Sequence, residues 1–545
     1  MKEQTQEVLS NITLSDIEAA AERLRQYKIG KQRLDSRLYH EKMWWQDRLS
    51  REGRAGKGTS TSAWLFNSIS HKHADLCDNY PTCHILPREP GDEQDAAMLS
   101  DILPVILKNC HFDKTYTDNA WSKLKHGMAA YGVFWNPDLE NGLGDIDIRR
   151  VDVMNLFWAP DVADIQESPH LFLVSLEDTE TLSARYHLPP EAQRDFAFDG
   201  TVPETGGSYL TSTQGYGDKT AVVDWYYKVV NAYGKEVVHF AKFTGRTLLY
   251  ASENDPLYAE CGWYDHGKYP FVLDVLYPEE GTPEGYGLLS IGRNSQGYID
   301  ELDSHLLEYA NWASRVRYWA KRSLGVSERD FLDLDKRIIE VEGDIDEEKL
   351  RQITLSPMDS ALSSLREMKI QELKETTGVR DVSVGGTSGG VTSAAAITAL
   401  QEAGSKTSRD CIFGTYRAYV DILCQVIELI RQFYDGKRTF RITGESGEGR
   451  AWRYVSYSNE GLGERSVGIG LDGEPRYYRP VFDIDVCAEQ HNPQDRIARN
   501  ELMIRLYQTG MLSIGQETAA LRALSGMDFD GIGSLRQALS QESHT

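Results

Sequence analysis

Three short clusters in the sequence contain residue types that could do chemistry. The first, residues 54–59, reads Arg-Ala-Gly-Lys-Gly-Thr and is similar to a phosphate-binding loop, in which glycine amides and a lysine hold phosphate groups. That motif needs a glycine at position 51 and a serine or threonine at position 58, but the chain has Arg51 and Gly58. No apolar strand precedes the segment either. We therefore expect no nucleotide site here.

The second cluster offers possible metal ligands. His71, His73, Asp75 and Asp78 lie close together in the chain, and histidine with carboxylate is a common ligand set. Their spacing, however, spreads them around a helix instead of gathering them on one face. We interpret them as part of a solvated helix surface.

The third cluster consists of carboxylates. Asp145 and Asp147 alternate along a predicted strand, with Asp152 nearby, and such a set could supply a two-metal nuclease. No Glu-x-Lys companion follows, and the polar face of a half-buried strand is the plainer interpretation. The sequence also contains no GxSxG, HExxH or Cys–His arrangement. We therefore expect no catalytic residue, no cofactor and no metal ligand, and hence no enzyme.

Composition narrows the class of protein further. The 545 residues are 40% hydrophobic and 26% charged, as in ordinary globular proteins, and this length predicts two to four domains. A formal charge of −24 argues against tight, static binding of DNA phosphates, but not against a wall along which a polyanion slides. Seven scattered cysteines without a CxxC pair predict reduced thiols. Because no apolar leader and no apolar run of about 18 residues is present, we expect cytoplasmic synthesis and no membrane contact.

The elements that must position these residues begin with a long helix. An apolar rhythm of 3.6 residues predicts it over residues 14–50, with Ser15 and Asp16 placed to cap it. From Arg23 to Lys57 there are eleven Lys or Arg and four Asp or Glu. This surplus indicates either a solvated helix face or a basic arm that meets DNA or an acidic neighbour.

Helical and extended patterns then follow in blocks. Residues 63–130 are predicted to be mostly helical with an extended stretch at 80–87, and residues 131–280 carry the β-branched and aromatic patterns of strands. After Tyr286–Gly287, apolar residues keep i, i+3, i+4, i+7 spacing over about seven turns. They are Ile291, Ile299, Leu302, Leu306, Tyr309, Ala310, Ala313 and Val316.

An acidic segment separates that helix from a second one. Residues 324–357 contain ten Asp or Glu against five Lys or Arg, and a strand is predicted at Arg337–Val341. The second helix covers about 359–376. A Gly/Ser/Val segment at 382–393 then runs into a predicted helix of about forty residues, 394–434, with glycines as natural kink points. Further strands and a helical C-terminal region complete the chain.

This order of elements resembles that of the portal family of tailed phages. Local motifs spread over about residues 60–510 agree with it: Phe66–Ile69, Asp78–Pro81, Ile85–Pro87, Tyr131–Pro137, Gly144–Ile148, Asn155–Pro160, Tyr286–Gly287, Thr377–Val379, Gly386, Thr392–Ala394 and Gln490–Gln494. Their ordered set carries the resemblance.

The resemblance implies an α+β, portal-type fold with an α/β wing, a two-helix stem, a small α/β clip, a long kinked wing helix and a helical C-terminal crown. On this chain it places an N-terminal helical arm at 1–60, the first part of the wing at 61–290, stem helix 1 at 291–323, the clip at 324–357, stem helix 2 at 358–378, a tunnel loop at 379–393, the second part of the wing at 394–490 and the crown at 491–545.

The resemblance also implies a portal protein, a ring of about twelve copies at one capsid vertex through which double-stranded DNA is packaged and ejected. The implied partners are other copies of the chain, the DNA, a packaging terminase, a head–tail adaptor, and capsid and scaffolding proteins. The implied location is the portal vertex of the virion. Another virion building block, such as a connector or capsid component, is the alternative, and a metal-dependent nuclease is the less favoured one.

Two surfaces are implied to be functional. The tunnel loop would face DNA through small, uncharged residues, namely Val384, Gly385, Gly386, Thr387, Ser388, Gly389, Gly390 and Val391. No Lys or Arg lies between Arg380 and Lys406, so firm phosphate binding by this loop is not expected. The clip would meet partner proteins through Arg337, Ile339, Asp344, Asp346, Glu347 and Glu348.

Overall fold

The computed structural model describes eleven stretches of the chain. They are residues 11–49, 62–187, 219–231, 234–314, 317–320, 350–353, 360–378, 406–444, 451–469, 475–488 and 493–508. These residues divide into two compact units. Unit 1 holds the described residues of Met1–Lys42, Ile69–Ser290 and Thr387–Thr545, and unit 2 holds those of Met43–Ser68 and Ile291–Gly386.

Nine α-helices lie in the described stretches: α1 Leu14–Leu49, α2 Trp64–Asp78, α3 Glu93–Asn109, α4 Phe112–His126, α5 Thr179–Arg185, α6 Leu288–Ser314, α7 Ser360–Thr377, α8 Lys406–Phe433 and α9 Pro493–Gln508. At the start of α1, the backbone N–H and the hydroxyl of Thr13 donate to Oδ2 of Asp16 at 2.9 and 2.6 Å. Asp16 therefore takes part in capping α1, as predicted. Its partner is Thr13, which immediately precedes the helix and so occupies the N-cap position.

The strands are β1 Pro81–Pro87, β2 Met128–Asn136, β3 Asp145–Val151, β4 Leu156–Trp158, β5 His170–Asp178, β6 Lys219–Val230, β7 Glu236–Thr244, β8 Thr247–Ala251, β9 Phe271–Val275, β10 Tyr277–Pro278, β11 Gly285–Tyr286, β12 Arg317–Ala320, β13 Leu350–Ile353, β14 Arg438–Gly444, β15 Ala451–Tyr457, β16 Arg465–Ile469, β17 Pro475–Tyr478 and β18 Phe482–Ala488. The predicted alternation of helical and strand-rich blocks is confirmed, and the fold of the described residues is α+β.

All described strand pairs are antiparallel. A five-stranded sheet has the order β4-β5-β6-β7-β8, and a three-stranded sheet has the order β3-β2-β9. The remaining strands form two-stranded pairs: β1–β18, β10–β11, β12–β13, β14–β15 and β16–β17. Of these pairs, only β12–β13 belongs to unit 2.

The core of unit 1 is built by helices on these sheets. The apolar stripe of α8 packs with α3, α4 and β2 in one buried cluster that includes Leu103, Ile106, Tyr131, Leu423 and Ile430. The first half of α1 packs against the five-stranded sheet in a second cluster. At the end of α4, Gly127 has φ of 91°, and a Cβ there would lie 2.2 Å from the carbonyl carbon of Tyr286. Only glycine fits this approach between the helix end and β11.

One predicted boundary is wrong. The helix expected over 291–323 ends at Ser314, and residues 317–320 form β12. The physical reason is a long-range strand pairing, in which Arg317 lies opposite Ile353 and Ala320 opposite Leu350. Helical periodicity is a local signal, so it gives no warning of such a pairing.

Several expectations fall outside the described residues. These are the clip strand at Arg337–Val341, the tunnel loop at 382–393 and the beginning of the long helix, of which the described part is α8. The kinks proposed for that helix stay predictions. None of the described helices combines the length and the hydropathy needed to cross a membrane.

Candidate functional site

The residues predicted to face DNA and partner proteins lie outside the described part of the chain. This applies to the tunnel-loop set Val384, Gly385, Gly386, Thr387, Ser388, Gly389, Gly390 and Val391, and to the clip set Arg337, Ile339, Asp344, Asp346, Glu347 and Glu348. Their roles therefore stay predictions. The described residues do show the contacts made by the two other clusters of possible catalytic or metal-binding residues. They also show an exposed surface that the sequence predicted only in part.

The histidine–aspartate cluster on α2 is engaged in packing. The His73 ring stacks on Trp121 with 4.4 Å between centroids, and its Nε2 lies 3.2 Å from the carbonyl oxygen of Thr117. Burial lowers the pKa of His73, which keeps the ring neutral. Asp75 accepts a hydrogen bond of 2.6 Å from the Ser408 hydroxyl. In the described stretches, no group of three or more His, Cys, Asp or Glu side chains could hold a metal ion.

The carboxylates of the supposed nuclease set are also taken up by structural contacts. Asp145 is buried and accepts a hydrogen bond of 2.6 Å from the Tyr434 hydroxyl. Asp147 forms an ion pair with Arg149, and Asp152 accepts a hydrogen bond from the backbone of the helical turn that follows it. Because each carboxylate has a partner of its own, the arrangement offers no open set of metal ligands.

Three of the cations of α1 form contacts inside unit 1. Lys31 is buried, and its Nζ lies 3.0 Å from Asp35, while burial lowers the pKa of its ammonium group. Lys42 lies 2.9 Å from Asp152, and Arg37 donates to a backbone carbonyl at 2.6 Å. These cations stabilise the docking of the helix. Arg23, Arg25 and Arg33 of α1 are exposed, and the cations of residues 51–57 lie outside the described stretches, so the basic-arm interpretation stays a prediction.

In unit 2, a few side-chain contacts connect α6 and α7. Arg366 of α7 forms an ion pair with Asp303 of α6, and Ser295 donates to Glu372 at 3.4 Å. At Gly292 a Cβ would lie 2.8 Å from Leu65 and 3.3 Å from Leu373. A side chain at this position would therefore require the ends of the Leu65 and Leu373 side chains to shift.

A buried polar network joins α6 to the segment before α2. Oε1 of Gln296 accepts the backbone N–H of Leu65 at 2.9 Å, and Gln296 is fully buried. Oδ1 of Asp300 accepts the backbone N–H of Ser62 at 3.0 Å, and the Arg48 guanidinium pairs with the same carboxylate. These hydrogen bonds satisfy the buried polar groups on one side of α6 and hold that side in place. We call it the inner side and the opposite one the outer side.

The outer side of α6 carries a regular row of exposed side chains. Ile291, Tyr298, His305 and Trp312 follow one another at intervals of seven residues and are exposed by 43%, 57%, 61% (side chain) and 48%. Two helical turns take about 7.2 residues, so such residues lie nearly in line along the helix. We call these four residues the α6 row. A seven-residue apolar spacing is typical of a helix that packs against another helix.

The outer side of α7 is apolar as well. Leu362, Leu365 and Met368 follow one another at intervals of three residues and are exposed by 38%, 41% and 63%. Of the described residues in the predicted apolar stripe of α6, only Ile299 is buried, and Ile291 belongs to the α6 row; the prediction missed Tyr298 and Trp312. The signal that could have found them is the seven-residue repeat itself. Exposed apolar side chains on two adjacent helices are typical of a surface that contacts another protein.

Comparison with known proteins adds the family context. A family model described as Phage P22-like portal protein matches residues 16–544, which is nearly the whole chain. A search of curated proteins gave no match.

Proposed function

Because the chain belongs to the phage P22-like portal protein family, we propose that it forms a closed ring of about twelve copies at one vertex of the capsid, with double-stranded DNA passing through the centre. The ring would serve packaging and ejection, with a terminase, a head–tail adaptor, and capsid and scaffolding proteins as its partners. The family is structural and non-enzymatic, which agrees with the occupied carboxylates of β3.

The α6 row is the observation that supports this proposal most directly. A ring subunit needs two different surfaces that complement each other, so that identical contacts repeat around the axis. The α6 row, which is apolar except for His305, and the exposed residues Leu362, Leu365 and Met368 of α7 are two different surfaces on neighbouring helices. In the proposed ring, each subunit would pack its α6 row against a neighbouring copy, and the α6–α7 pair would form the stem.

Substitution in the α6 row tests the proposal. We expect Tyr298→Glu and Trp312→Glu to reduce the ring population at least tenfold, because each places a carboxylate in an apolar contact that would have to lose water. Native mass spectrometry and negative-stain images measure the rings. Asn311→Glu, which introduces the same charge at an exposed position of α6 outside the row, is the matched control and should assemble like the wild type. Wild-type rings in both row variants would contradict the role of this surface, and a wild-type chain that stays monomeric would contradict the ring.

The clip, residues 324–357, is proposed as the surface that meets the packaging motor and the connector. Its acidic residues Asp344, Asp346, Glu347 and Glu348 would face outward. Reversal of these four charges should leave rings intact but block packaging. If packaging survived while the rings fell apart, the clip would instead be an assembly element.

The tunnel loop, residues 379–393, is proposed to project into the channel and to contact DNA sterically. Its Gly, Ser, Thr and Val residues carry no cation that would hold phosphate, so the contact would have low friction. Deletion of Gly385–Gly390 should permit assembly but reduce the retention of full-length genome in filled heads. Retention at the wild-type level would show that the loop is only a linker.

A further inference from the structure

Unit 1 contains a cleft, lined by cations and apolar side chains, to which the proposed function assigns no role. Two cavities of about 480 and 400 Å³ share Lys235, Asp265, Arg431 and Arg479 and so adjoin each other. The smaller cavity lies between the last turns of α8 and the beginning of β18. Its volume is in the range of sites that bind small molecules or a few peptide residues. We call it the α8 cleft.

The α8 cleft is positively charged in a strongly acidic protein. Four cations line it, Lys235, Lys268, Arg431 and Arg479, against two carboxylates, Asp265 and Glu428. The adjoining larger cavity adds two further carboxylates, so the positive charge is confined to the smaller one. On a chain with a net charge of −24, such a surface selects acidic partners.

The guanidinium groups in the cleft have unused hydrogen-bonding capacity. Arg431 is only 9% exposed and donates to Glu428 at 2.5 Å and to the carbonyl of Pro480 at 2.6 Å. Its Nε has no partner among the described residues. Arg479 shares the same Glu428 carboxylate at 3.2 Å. One carboxylate thus serves two arginines, and the side chain of Arg479 is 34% exposed, which favours a ligand that supplies a further carboxylate.

An apolar floor accompanies these charges. Ile427, Val481, Phe482 and Ile484 line the cavity, and Val481 is 44% exposed. Lys235 and Lys268 are exposed and make no ion pair with any residue of the described stretches. A phosphate alone would leave the apolar floor uncovered, and a DNA duplex is too wide to enter the cavity.

From these contacts we infer that the α8 cleft binds an acidic peptide segment that also carries an apolar side chain. Carboxylates of the segment would face Lys268 and Arg479, and the apolar side chain would cover Val481 and Phe482. Such a segment belongs to a partner polypeptide, so the cleft is a docking site on the portal subunit. The inference does not depend on ring formation, because the cleft lies within unit 1 of one chain.

Cysteine labelling offers a direct test. Cys424 lines the cleft and is exposed, whereas Cys487 is exposed but does not line it. The probe is an acetylated, amidated peptide with two glutamates flanking leucine and phenylalanine, and its isosteric control has glutamines instead. We expect the acidic peptide at millimolar concentration to slow alkylation of Cys424 at least fivefold and to leave Cys487 unchanged. The glutamine peptide should protect neither thiol.

A charge reversal in the cleft, compared with one elsewhere on the surface, distinguishes binding at the cleft from non-specific electrostatic attraction. Lys268→Glu should abolish the protection of Cys424, measured against the labelling rate of the same variant without peptide, because loss of the Lys268 charge raises the pKa of the Cys424 thiol and by itself slows labelling. Lys114→Glu makes the same charge change at an exposed position of α4 and should retain full protection. Equal protection by both peptides, or none by either, would overturn the inference. Protection by inorganic phosphate or a short oligothymidylate, but not by the acidic peptide, would also overturn it, since the cleft would then be a phosphate site.

Discussion

Lys123 is the residue at which three elements of unit 1 meet. Its Nζ lies 2.6 Å from Asp274 of β9, 2.7 Å from the Thr415 hydroxyl and 3.0 Å from the Cys411 carbonyl of α8. The side chains of Lys123 and Asp274 are 0% and 2% exposed. A buried ion pair of this kind holds only when its remaining donors are also satisfied, and here Thr415 and Cys411 complete the set.

Removal of one member of this pair should therefore lower the free energy of unfolding strongly. Lys123→Met leaves the Asp274 carboxylate buried without its cation, and we expect unfolding free energy to fall by about 3–5 kcal/mol. The double variant Lys123→Met/Asp274→Leu should recover most of that loss. Urea unfolding of unit 1, followed by tryptophan fluorescence, measures the difference.

The exposed ion pair Arg88–Asp483 is the control for this measurement, because both side chains are more than half exposed. Arg88→Met should leave the urea midpoint unchanged. If Lys123→Met were as harmless as Arg88→Met, the buried pair would not be the contact that fixes α8 on α4 and β9.

Residue roles of this kind could be predicted from the sequence only in part. Alternation along β3 correctly indicated that Asp145 and Asp147 belong to a half-buried strand. It could not indicate that Tyr434, which lies 289 residues further along the chain, donates to Asp145. The same holds for Arg431 and Arg479 of the α8 cleft, because no short motif brings them together.

At the scale of elements, the five-stranded sheet contains two histidines that are held neutral. The Trp225 indole N–H donates to Nδ1 of His170 at 3.2 Å, which requires that this nitrogen carry no proton. Burial, with the nearby charge of Arg23, lowers the pKa of His170 to about 4. Burial also lowers the pKa of His239 on β7 to about 4. Both values lie below the ordinary histidine pKa of 6.5.

The sheet should consequently be sensitive to acid. Because the unfolded chain binds these protons near pH 6.5 and the folded chain only near pH 4, the stabilising contribution is complete above pH 6.5 and is lost as pH falls towards 4. His239→Asn removes one such group, and its side-chain oxygen can still face Ser252, which lies 3.0 Å from Nδ1 of His239. We expect this variant to lose less stability between pH 7 and pH 4.5 than the wild type.

Thermal unfolding at the two pH values measures this difference. His84→Asn, a substitution of an exposed histidine on β1, is the control and should show the pH dependence of the wild type. An identical loss of stability in the wild type and in His239→Asn would show that other groups cause the acid sensitivity.

Element boundaries show where sequence reasoning reaches its limit. The helices now called α1 and α7 begin and end within one or two residues of their predicted positions, since their apolar periodicity is local and strong. The end of α6 was missed because β12 pairs with β13 about thirty residues later. Tyr298 and Trp312 of the α6 row were missed for a different reason. A periodicity argument looks for the buried stripe, and this row lies on the exposed side.

At the scale of the whole molecule, charge opposes association of the proposed subunits. Every copy carries −24, so copies repel one another before their apolar rows meet. Added salt shortens the screening length from about 30 Å at 0.01 M to about 8 Å at 0.15 M. We expect the rate of ring formation to rise several-fold over this range, as measured by light scattering after dilution of separated subunits.

The identity of the salt should matter little to this effect. Sodium chloride and potassium chloride at equal ionic strength should give the same rate, because screening depends on charge and concentration. Faster assembly at 0.01 M than at 0.15 M would show that attractive ion pairs, and not the apolar rows, dominate the contact between copies.

The pairing of β1 with β18 has a consequence for synthesis on the ribosome. Residues 81–87 leave the ribosome early, yet their strand partner at 482–488 is made almost 400 residues later. At a translation rate of about 5–20 residues per second, β1 waits roughly 20 to 80 s for β18. Unit 1 therefore cannot close until β18 has been made. A chain that stops before β18 lacks a complete unit 1, so translation itself delays entry into the proposed ring and keeps such truncated chains out of it.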